Sequence, residues 1–478
     1  MIKSSSFNYY WYFTLGVILI LVIAPLIQDG IFMDGMLYIS VGKNLSEGIG
    51  TFWKQSFSKT CMFEYHEQPP LYGGLISIYF KLFGHSMYTE RIFCFSFFAF
   101  TLFVIYKFWK QLDITSEQKK HAFVPLLFFS ITPVVFWAFQ NHVEETVMTV
   151  FDLTAIYFIH KASFKNEKTY LNLFVSALFI VLATLTKGIQ GLFPIGSIAL
   201  IWITKPNLKS LKSHFLSTLY LAAMFVLIYS ILLFIFPDAY ISFKKYFSIR
   251  LVNTFNHVGA TTENRFYLLF KLLNELIPVA ALTFILYLIG RNKINNSSFG
   301  NVKKQELYWL LLLGLSGSLP LMITLEQRGF YLVTAFPYFI LAFSLLASHY
   351  LSFIIFHSEK PKKALRIFTL IVLISGISYC FISFGKTKRD EELLHDVYLT
   401  KSIFKQGELV GIPENMWNDW NLQTYMIRYN YVSLSMAKNN RYYIIRKDLE
   451  QTIVPVNYEK LNLPTQFFDI YELKKVVN

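Results

Sequence analysis

The run LNLFVSALFIVLATLTKGIQGLFPIGSIALIWIT, residues 171–204, contains a single charged side chain, Lys187. About 20 apolar residues are enough for one helix to cross the hydrocarbon core of a bilayer. The run therefore predicts two consecutive transmembrane helices, 170–186 and 188–204, with almost no loop between them. Two spans joined so closely are typical of a polytopic membrane protein.

The composition of the whole chain supports the same fold class. Apolar residues make up 54% of the 478 residues and charged residues 15%, whereas soluble proteins carry about 25% charged residues. These proportions exclude an ordinary soluble enzyme and a disordered chain, and the three cysteines do not indicate a disulfide framework. The apolar runs lack the alternation of barrel strands, so we predict an all-α polytopic membrane protein.

Eleven segments are predicted to span the membrane. They are 9–27, 88–109, 122–139, 143–160, 170–186, 188–204, 215–236, 266–289, 307–325, 329–356 and 365–384. The first segment is predicted to be a retained span and not a cleaved signal peptide. The shorter run 71–83 is predicted to lie at the membrane interface or to re-enter it.

The distribution of lysine and arginine predicts the orientation. With the N-terminus in the cytoplasm, the alternate inner segments hold nineteen basic residues, including Lys119 and Lys120. Basic residues crowd cytoplasmic loops, so the net charge of +14 does not indicate nucleic acid. An odd number of spans then places the C-terminus outside a plasma (inner) membrane.

Two domains are predicted. Residues 1–384 form a transmembrane catalytic domain with a long first outer loop, 28–87. Residues 385–478, where charge density rises, form a small extracytoplasmic α/β domain. Its predicted elements are strands at 408–412, 441–447 and 468–473 and a helix at 422–429.

The predicted outer face collects the residues that could carry chemistry. Its acids are Asp34 and Asp29 after the first span and the pair Glu144 and Glu145. Its isolated cations are Lys187, Arg328 and Arg265. The string Tyr65-His-Glu-Gln-Pro-Pro-Leu71 places His66, Glu67 and Gln68 before a proline-locked bend, and His142 precedes the two glutamates.

Each feature also has a plainer interpretation. Asp34 could be a helix cap, Lys187 could reach back to the interface, and the glutamates could belong to a helix that begins in water. His66 and Glu67 are too few for a clear metal motif, so the metal question stays open. Together, however, acids beside phosphate-binding cations suit transfer of a group from a lipid phosphate to a hydroxyl.

With these motifs, the chain resembles the GT-C superfamily of membrane glycosyltransferases. It is most similar to the branch that contains protein O-mannosyltransferases and the lipid A aminoarabinose transferase. Asp34 with Tyr38 looks like the acidic motif that holds the catalytic base, and 65–71 looks like a Glu-Lys-Pro-Pro-Leu stretch. Glu145 resembles a second acidic motif, and Leu185-Thr-Lys-Gly188 resembles the motif whose lysine contacts the donor phosphate. Gln327–Pro337 resembles a late arginine- and tyrosine-containing stretch.

The resemblance implies an inverting glycosyltransferase that takes its sugar from a polyprenyl phosphate. The acceptor would be a hydroxyl of a lipid, a glycan or a protein, and no cofactor is firmly predicted, with a divalent cation left open. Three departures set the chain apart: Gly35 replaces a glutamate, Gln68 replaces a lysine and Leu37 replaces an arginine. These changes remove phosphate contacts, so we expect a different sugar, a different acceptor or both.

Two other classes of protein compete with this interpretation. A transporter or flippase for a lipid-linked or anionic substrate would place ionisable residues near mid-membrane, facing a pathway. A non-catalytic scaffold would leave the acids and cations without a purpose. The sequence favours the transferase because its polar clusters lie at one predicted face.

Asp34 is predicted to be the general base, so Asp34→Asn should lower turnover at least about 100-fold while leaving the side chain's shape unchanged. A transfer assay on the purified variant measures this loss. Near-normal transfer would move the role to Asp29, Glu67 or Glu145.

Overall fold

The computed structural model describes residues 7–252, 261–262, 264–291, 304–356, 362–449 and 454–474. These residues belong to two compact units. The first unit comprises 1–27, 67–71 and 91–384, and the second comprises 28–66, 72–90 and 385–478. The loop that the sequence analysis groups with the membrane domain thus falls largely in the unit that contains the C-terminal residues.

All the regular secondary structure in the described residues of the first unit is helical. Its α-helices are Phe7–Ile18, Ala24–Leu26, Met87–Gln111 (from residue 91), Ser116–Lys120, Phe123–Ile131, Pro133–Gln140, Glu144–Phe164, Thr169–Lys187, Ser197–Thr204, Leu211–Ile235, Pro237–Lys245, Tyr267–Gly290, Lys304–Ser318, Phe336–Phe356 and Lys362–Ser383. Tighter 3-10 turns occupy Gly188–Gly196, Leu319–Ile323 and Gly329–Ala335, and wider π-helical turns occupy Leu19–Ile23 and Tyr246–Leu251.

Each of the eleven predicted segments is largely helical. Within the described residues, eight helical stretches are long and apolar enough to cross a membrane, or nine if the pair Phe123–Ile131 and Pro133–Gln140 is one span. That pair is bent by 74° at Thr132, where a proline follows. The all-α polytopic class is confirmed, and the difference from eleven arises in the segments 122–139, 143–160 and 170–204.

The stretch Thr169–Thr204 reverses its direction at Gly188. Gly188 has a φ of +71°, which ends the preceding helix. A Cβ added at Gly191 would lie 2.7 Å from the carbonyl carbon of Ala183, although residues eight apart in one helix are separated by about 12 Å. The chain therefore folds back on itself, as the sequence predicts for two spans with almost no loop.

Burial explains why the segment 143–160 is weakly apolar. The helix Glu144–Phe164 is buried along nearly all of its length, and Thr149, Asp152 and His160 are at most 1% exposed. A helix surrounded by protein does not need lipid-compatible side chains on every face.

A group of buried charged side chains joins three segments of the first unit. Glu306 lies 3.3 Å from the Lys205 ammonium and 3.5 Å from the His160 ring. The other ring nitrogen of His160 lies 2.7 Å from the Gln111 amide.

Four of the nineteen basic residues used for the orientation lie outside the described residues. They are Lys3, Lys293, Lys303 and Lys360.

The second unit combines four α-helices with one sheet. The helices are Met33–Ser46, Leu71–Phe83 (from residue 72), Glu391–Thr400 and Trp420–Tyr425, with a π-helical turn at Met426–Asn430 and a 3-10 turn at Glu414–Met416. The strands are β1 (Leu409–Gly411), β2 (Ser433–Ser435), β3 (Tyr442–Arg446), β4 (Tyr458–Lys460) and β5 (Phe468–Leu473). Their order is β2-β1-β3-β5-β4, with β1 parallel to β2 and β3 and with β5 antiparallel to β3 and β4.

The strands predicted at 408–412, 441–447 and 468–473 appear as β1, β3 and β5. The helix predicted at 422–429 appears as Trp420–Tyr425 and its π-helical continuation. Sequence patterns missed β2 and β4, because each contains a single apolar or aromatic residue, whereas β1 contains Leu409 and Val410.

A buried arginine ties the C-terminal segment of this unit to its N-terminal segment. Arg428 is 1% exposed and its Nε lies 2.7 Å from Glu90. Its guanidinium also donates to the carbonyl oxygens of His85 and Ser86 and lies over the Phe80 ring. Burial alone would lower the pKa of Arg428, but the neighbouring Glu90 carboxylate raises it, so the guanidinium stays charged.

Replacing Arg428 by alanine should destabilise the protein by about 3–5 kcal/mol, because the Glu90 carboxylate would remain buried without this partner. Thermal unfolding of the purified protein measures the loss. Arg441→Ala is the matched control, since Arg441 also pairs with a glutamate, Glu472, but on the surface, and it should shift the Tm little. Equal shifts for the two variants would contradict the structural role of Arg428.

Candidate functional site

The best-formed polar cluster of the first unit surrounds Lys187. The lysine is the last residue of the helix Thr169–Lys187, and the left-handed Gly188 follows it at once. Because the helix ends there, the ammonium group extends beyond the apolar run that precedes it. It is nonetheless buried, with 7% of the residue exposed.

Two carboxylates hold this ammonium. The Lys187 Nζ lies 3.0 Å from Glu144 Oε2 and 3.3 Å from Glu145 Oε1. Both glutamates are in the first turn of the helix Glu144–Phe164 and are at most 2% exposed. Acidic side chains are favourable at a helix N-terminus, where backbone N–H groups point outwards. The same Nζ lies 5.7 Å from the centre of the Tyr331 ring.

A cavity of about 480 Å³ opens beside the cluster. Its wall includes Lys187, Gln68, Tyr331 and Glu326, together with apolar residues such as Phe193. Gln68 belongs to the proline-locked segment that the sequence analysis singled out, and the neighbouring Pro69 lines a second cavity. That second cavity measures about 510 Å³ and is mostly apolar.

The other predicted residues of the first unit take different positions. His142 is buried, with a φ of +57°, and its ring stacks on Phe93. Arg265 and Arg328 are exposed. The Gln327 amide donates 2.9 Å hydrogen bonds to the carbonyls of Arg265 and Thr324, so it links the two segments that carry the arginines. Neither arginine is among the residues that line the Lys187 cavity, and Glu67 is half-buried.

The remaining predicted residues belong to the second unit. Asp34 is half-buried in the first turn of the helix Met33–Ser46. Tyr38 is buried with its ring edge-on to Tyr72, and the His66 ring lies 3.4 Å from Glu64.

Asp29, the competing acid, has a structural environment. It is 4% exposed and accepts hydrogen bonds from the hydroxyls of Tyr398 and Tyr429. Burial and the nearby Asp29 carboxylate raise the pKa of Tyr398, so the tyrosine keeps its proton and remains a donor. These bonds indicate that Asp29 joins segments of the second unit, which leaves Asp34 as the better candidate for a base.

Sequence patterns assigned no individual role to Tyr331, Glu326 and Tyr246, which line the Lys187 cavity. Tyr331 lies in the stretch Gln327–Pro337 and Glu326 directly precedes it, so proximity to Arg328 was the available signal. Tyr246 had no signal, because it lies among many aromatic residues outside any motif. Within the described residues, no group of three or more His, Cys, Asp or Glu side chains could hold a metal ion.

Comparisons with known proteins agree with this geometry. Residues 67–234, which contain Gln68, both glutamates and Lys187, match the family described as dolichyl-phosphate-mannose-protein mannosyltransferase. No curated protein sequence matches the chain.

Solved structures share the fold over nearly the whole chain. ArnT from Cupriavidus metallidurans in the apo state has a TM-score of 0.67 at 12% identity, covering 98% of both chains. ArnT bound to undecaprenyl phosphate has a TM-score of 0.63 at 11% identity, covering 96% of this chain and 97% of that one. The oligosaccharyltransferase of Archaeoglobus fulgidus in complex with Zn and sulfate has a TM-score of 0.52 at 13% identity, covering 98% of this chain and 73% of that one.

The described residues therefore form a polytopic helical membrane protein whose fold is similar to that of ArnT. In sequence, residues 67–234 are similar to the protein mannosyltransferases. The resemblance inferred from the sequence is confirmed in fold for the whole chain and in sequence for residues 67–234.

Lys187→Ala should weaken both donor binding and turnover, because the positive charge is present in the ground state and in the transition state. The variant also leaves Glu144 and Glu145 without this cation, so its thermal stability is measured alongside its kinetics. Lys187→Arg keeps the charge and serves as the control. An unchanged donor KM and rate in a folded Lys187→Ala protein would argue against this site.

Proposed function

We propose that the protein is an inverting glycosyltransferase that moves a sugar from a polyprenyl-phosphate donor to a hydroxyl of a lipid, glycan or protein. The single observation that carries the proposal is the buried Lys187 at the wall of a cavity that has both polar and apolar residues and that shares wall residues with a more apolar cavity. An ionic head group attached to a hydrocarbon chain is the ligand that fits such a pair of cavities.

The reaction assigns a role to each group. Asp34 removes the proton from the acceptor hydroxyl, whose oxygen then attacks the anomeric carbon of the sugar. The bond between that carbon and the phosphate oxygen breaks on the opposite side, which inverts the anomeric configuration. The bonding pair leaves with the lipid phosphate.

Charge development explains why a lysine belongs there. The donor is a phosphate diester with one negative charge, and the departing lipid phosphate is a monoester with up to two. A fixed ammonium near the phosphate therefore stabilises the transition state more than the bound donor. Glu144 and Glu145 keep the ammonium in position, and Arg265 and Arg328 are proposed as further phosphate contacts.

We also propose that transfer takes place on the extracytoplasmic side of a plasma (inner) membrane. The positions of the basic residues support this side. Soluble nucleotide sugars are confined to the cytoplasm, so an enzyme that acts outside needs a sugar already carried on a lipid.

The donor pool gives a test that does not require the acceptor to be known. In cells that carry Asp34→Asn or Lys187→Ala in place of the natural protein, one polyprenyl-phosphate sugar should accumulate. Mass spectrometry of the lipids should show that rise, together with loss of one pentose or hexose mass from a lipid, glycan or protein. Unchanged donor and product levels would contradict the function, and a donor redistributed between leaflets without lost product would indicate a flippase.

The side is tested in the same cells with single cysteines at Asn207 and Asn439, both exposed positions, in a chain whose three natural cysteines have been replaced. An impermeant thiol reagent should label position 439 and not position 207. The reverse pattern would contradict the proposed side.

A further inference from the structure

Tyr246 stands between the two cavities of the first unit. It lines the Lys187 cavity and also the mostly apolar cavity beside it. Ile189 and Leu192 line both cavities as well, but of these three residues only Tyr246 has a side chain with a polar atom. Only 6% of Tyr246 is exposed, so its ring has a fixed place in the wall.

The tyrosine hydroxyl packs against the backbone next to Lys187. A Cβ added at Gly188 would overlap the Tyr246 hydroxyl oxygen. The glycine is therefore required twice, once by its left-handed φ of +71° and once by the phenol that occupies the space of a side chain. The phenol O–H therefore lies beside residue 188, the neighbour of Lys187 along the chain, and both Lys187 and Tyr246 line the Lys187 cavity.

The second cavity is suited to hydrocarbon. Its wall contains Phe225, Leu233, Phe243 and Phe247. Two of its hydroxyls, those of Thr184 and Tyr229, lie 2.6 Å apart and form a hydrogen bond with each other. This wall therefore offers fewer groups to a polar ligand than the Lys187 cavity does.

We propose that Tyr246 sets the boundary between the phosphate and the hydrocarbon of the lipid carrier. Its hydroxyl donates a hydrogen bond to a phosphate oxygen in the Lys187 cavity, and its ring packs against the first isoprenoid units in the apolar cavity. A tyrosine suits such a junction because it combines an apolar ring with a polar tip. This inference rests on the proposed function, since it places the donor lipid in that same site.

Lys244 offers the competing position for a phosphate. It is exposed and lines the apolar cavity, so a lipid bound the other way round would place its phosphate there. In that orientation the phosphate would lie in the apolar cavity and not in the Lys187 cavity. The two positions therefore predict different effects of substitution.

The experiment measures binding of undecaprenyl phosphate and of undecaprenol to the full-length protein in nanodiscs. Tyr246→Phe should weaken binding of the phosphate about 10-fold, the scale of one hydrogen bond to a charged group, and leave binding of the alcohol unchanged. Tyr308→Phe, which removes a hydroxyl from an exposed tyrosine that lines neither cavity, is the control and should bind both lipids like the natural protein. Lys244→Ala tests the competing position and should keep the preference for the phosphate.

The outcomes separate this inference from the proposed function. If the natural protein shows no preference for the phosphate over the alcohol, the proposed donor fails. If the natural protein and Tyr246→Phe prefer the phosphate over the alcohol to the same degree, Tyr246 is not the boundary. The same conclusion follows if Lys244→Ala is the variant that loses the preference. An equal loss for both lipids in Tyr246→Phe would show that the hydroxyl supports the cavity wall and does not contact the phosphate.

A second variant guards against misfolding. Tyr246→His keeps a hydrogen-bond donor and should retain part of the preference for the phosphate. Thermal unfolding without lipid should be similar for the natural protein and for both variants. A Tyr246→His protein that is as stable as the natural one but shows no more preference than Tyr246→Phe would contradict the hydrogen bond.

Discussion

A buried ammonium group in a helical membrane protein must have carboxylate partners, because transferring an isolated charge out of water costs far more than a folded protein can tolerate. Lys187 meets this requirement with two glutamates from the start of another helix. The pairing fixes how the helices Thr169–Lys187 and Glu144–Phe164 align at this end. It also places the ammonium group at the wall of a cavity, where its interaction with a charged ligand is screened less than in bulk water.

The backbone around the lysine follows from the same requirement. A regular helix beyond position 187 would carry the following residues away from the glutamates, whereas the reversal at Gly188 brings Gly191 back to Ala183. The reversal leaves room for the Tyr246 phenol. One residue without a side chain thus permits a helix end, a chain reversal and the close approach of an aromatic ring.

The second unit also relies on buried polar groups, but for cohesion. Asp29 accepts from two tyrosines, and Glu90 pairs with Arg428. Asp396 accepts from three successive backbone N–H groups, those of Gln466, Phe467 and Phe468. Each of these carboxylates is buried and connects segments that are distant in sequence, so each stabilises the fold.

Patterns along the chain predicted the helical class, the position of every apolar segment and three of the five strands, since these depend on local periodicity and on length. They also identified Lys187, Glu144, Glu145 and Gln68 as residues of interest. They preferred Asp34 to Asp29 only through the resemblance to a family motif, because the tyrosines that surround Asp29 come from the distant positions 398 and 429. Arg428 was equally hidden, since its importance depends on the distant Glu90.

The sequence by itself therefore determined the apolar spans, the lysine-glycine break at 187–188 and the clustering of charged residues between spans, because burial in lipid and helix periodicity act on neighbouring residues. The tertiary structure decided which carboxylates pair with Lys187 and which acids only stabilise the fold. It also placed Tyr246 between the Lys187 cavity and the mostly apolar cavity. Those properties depend on distances between residues far apart along the chain, and only the folded backbone sets such distances.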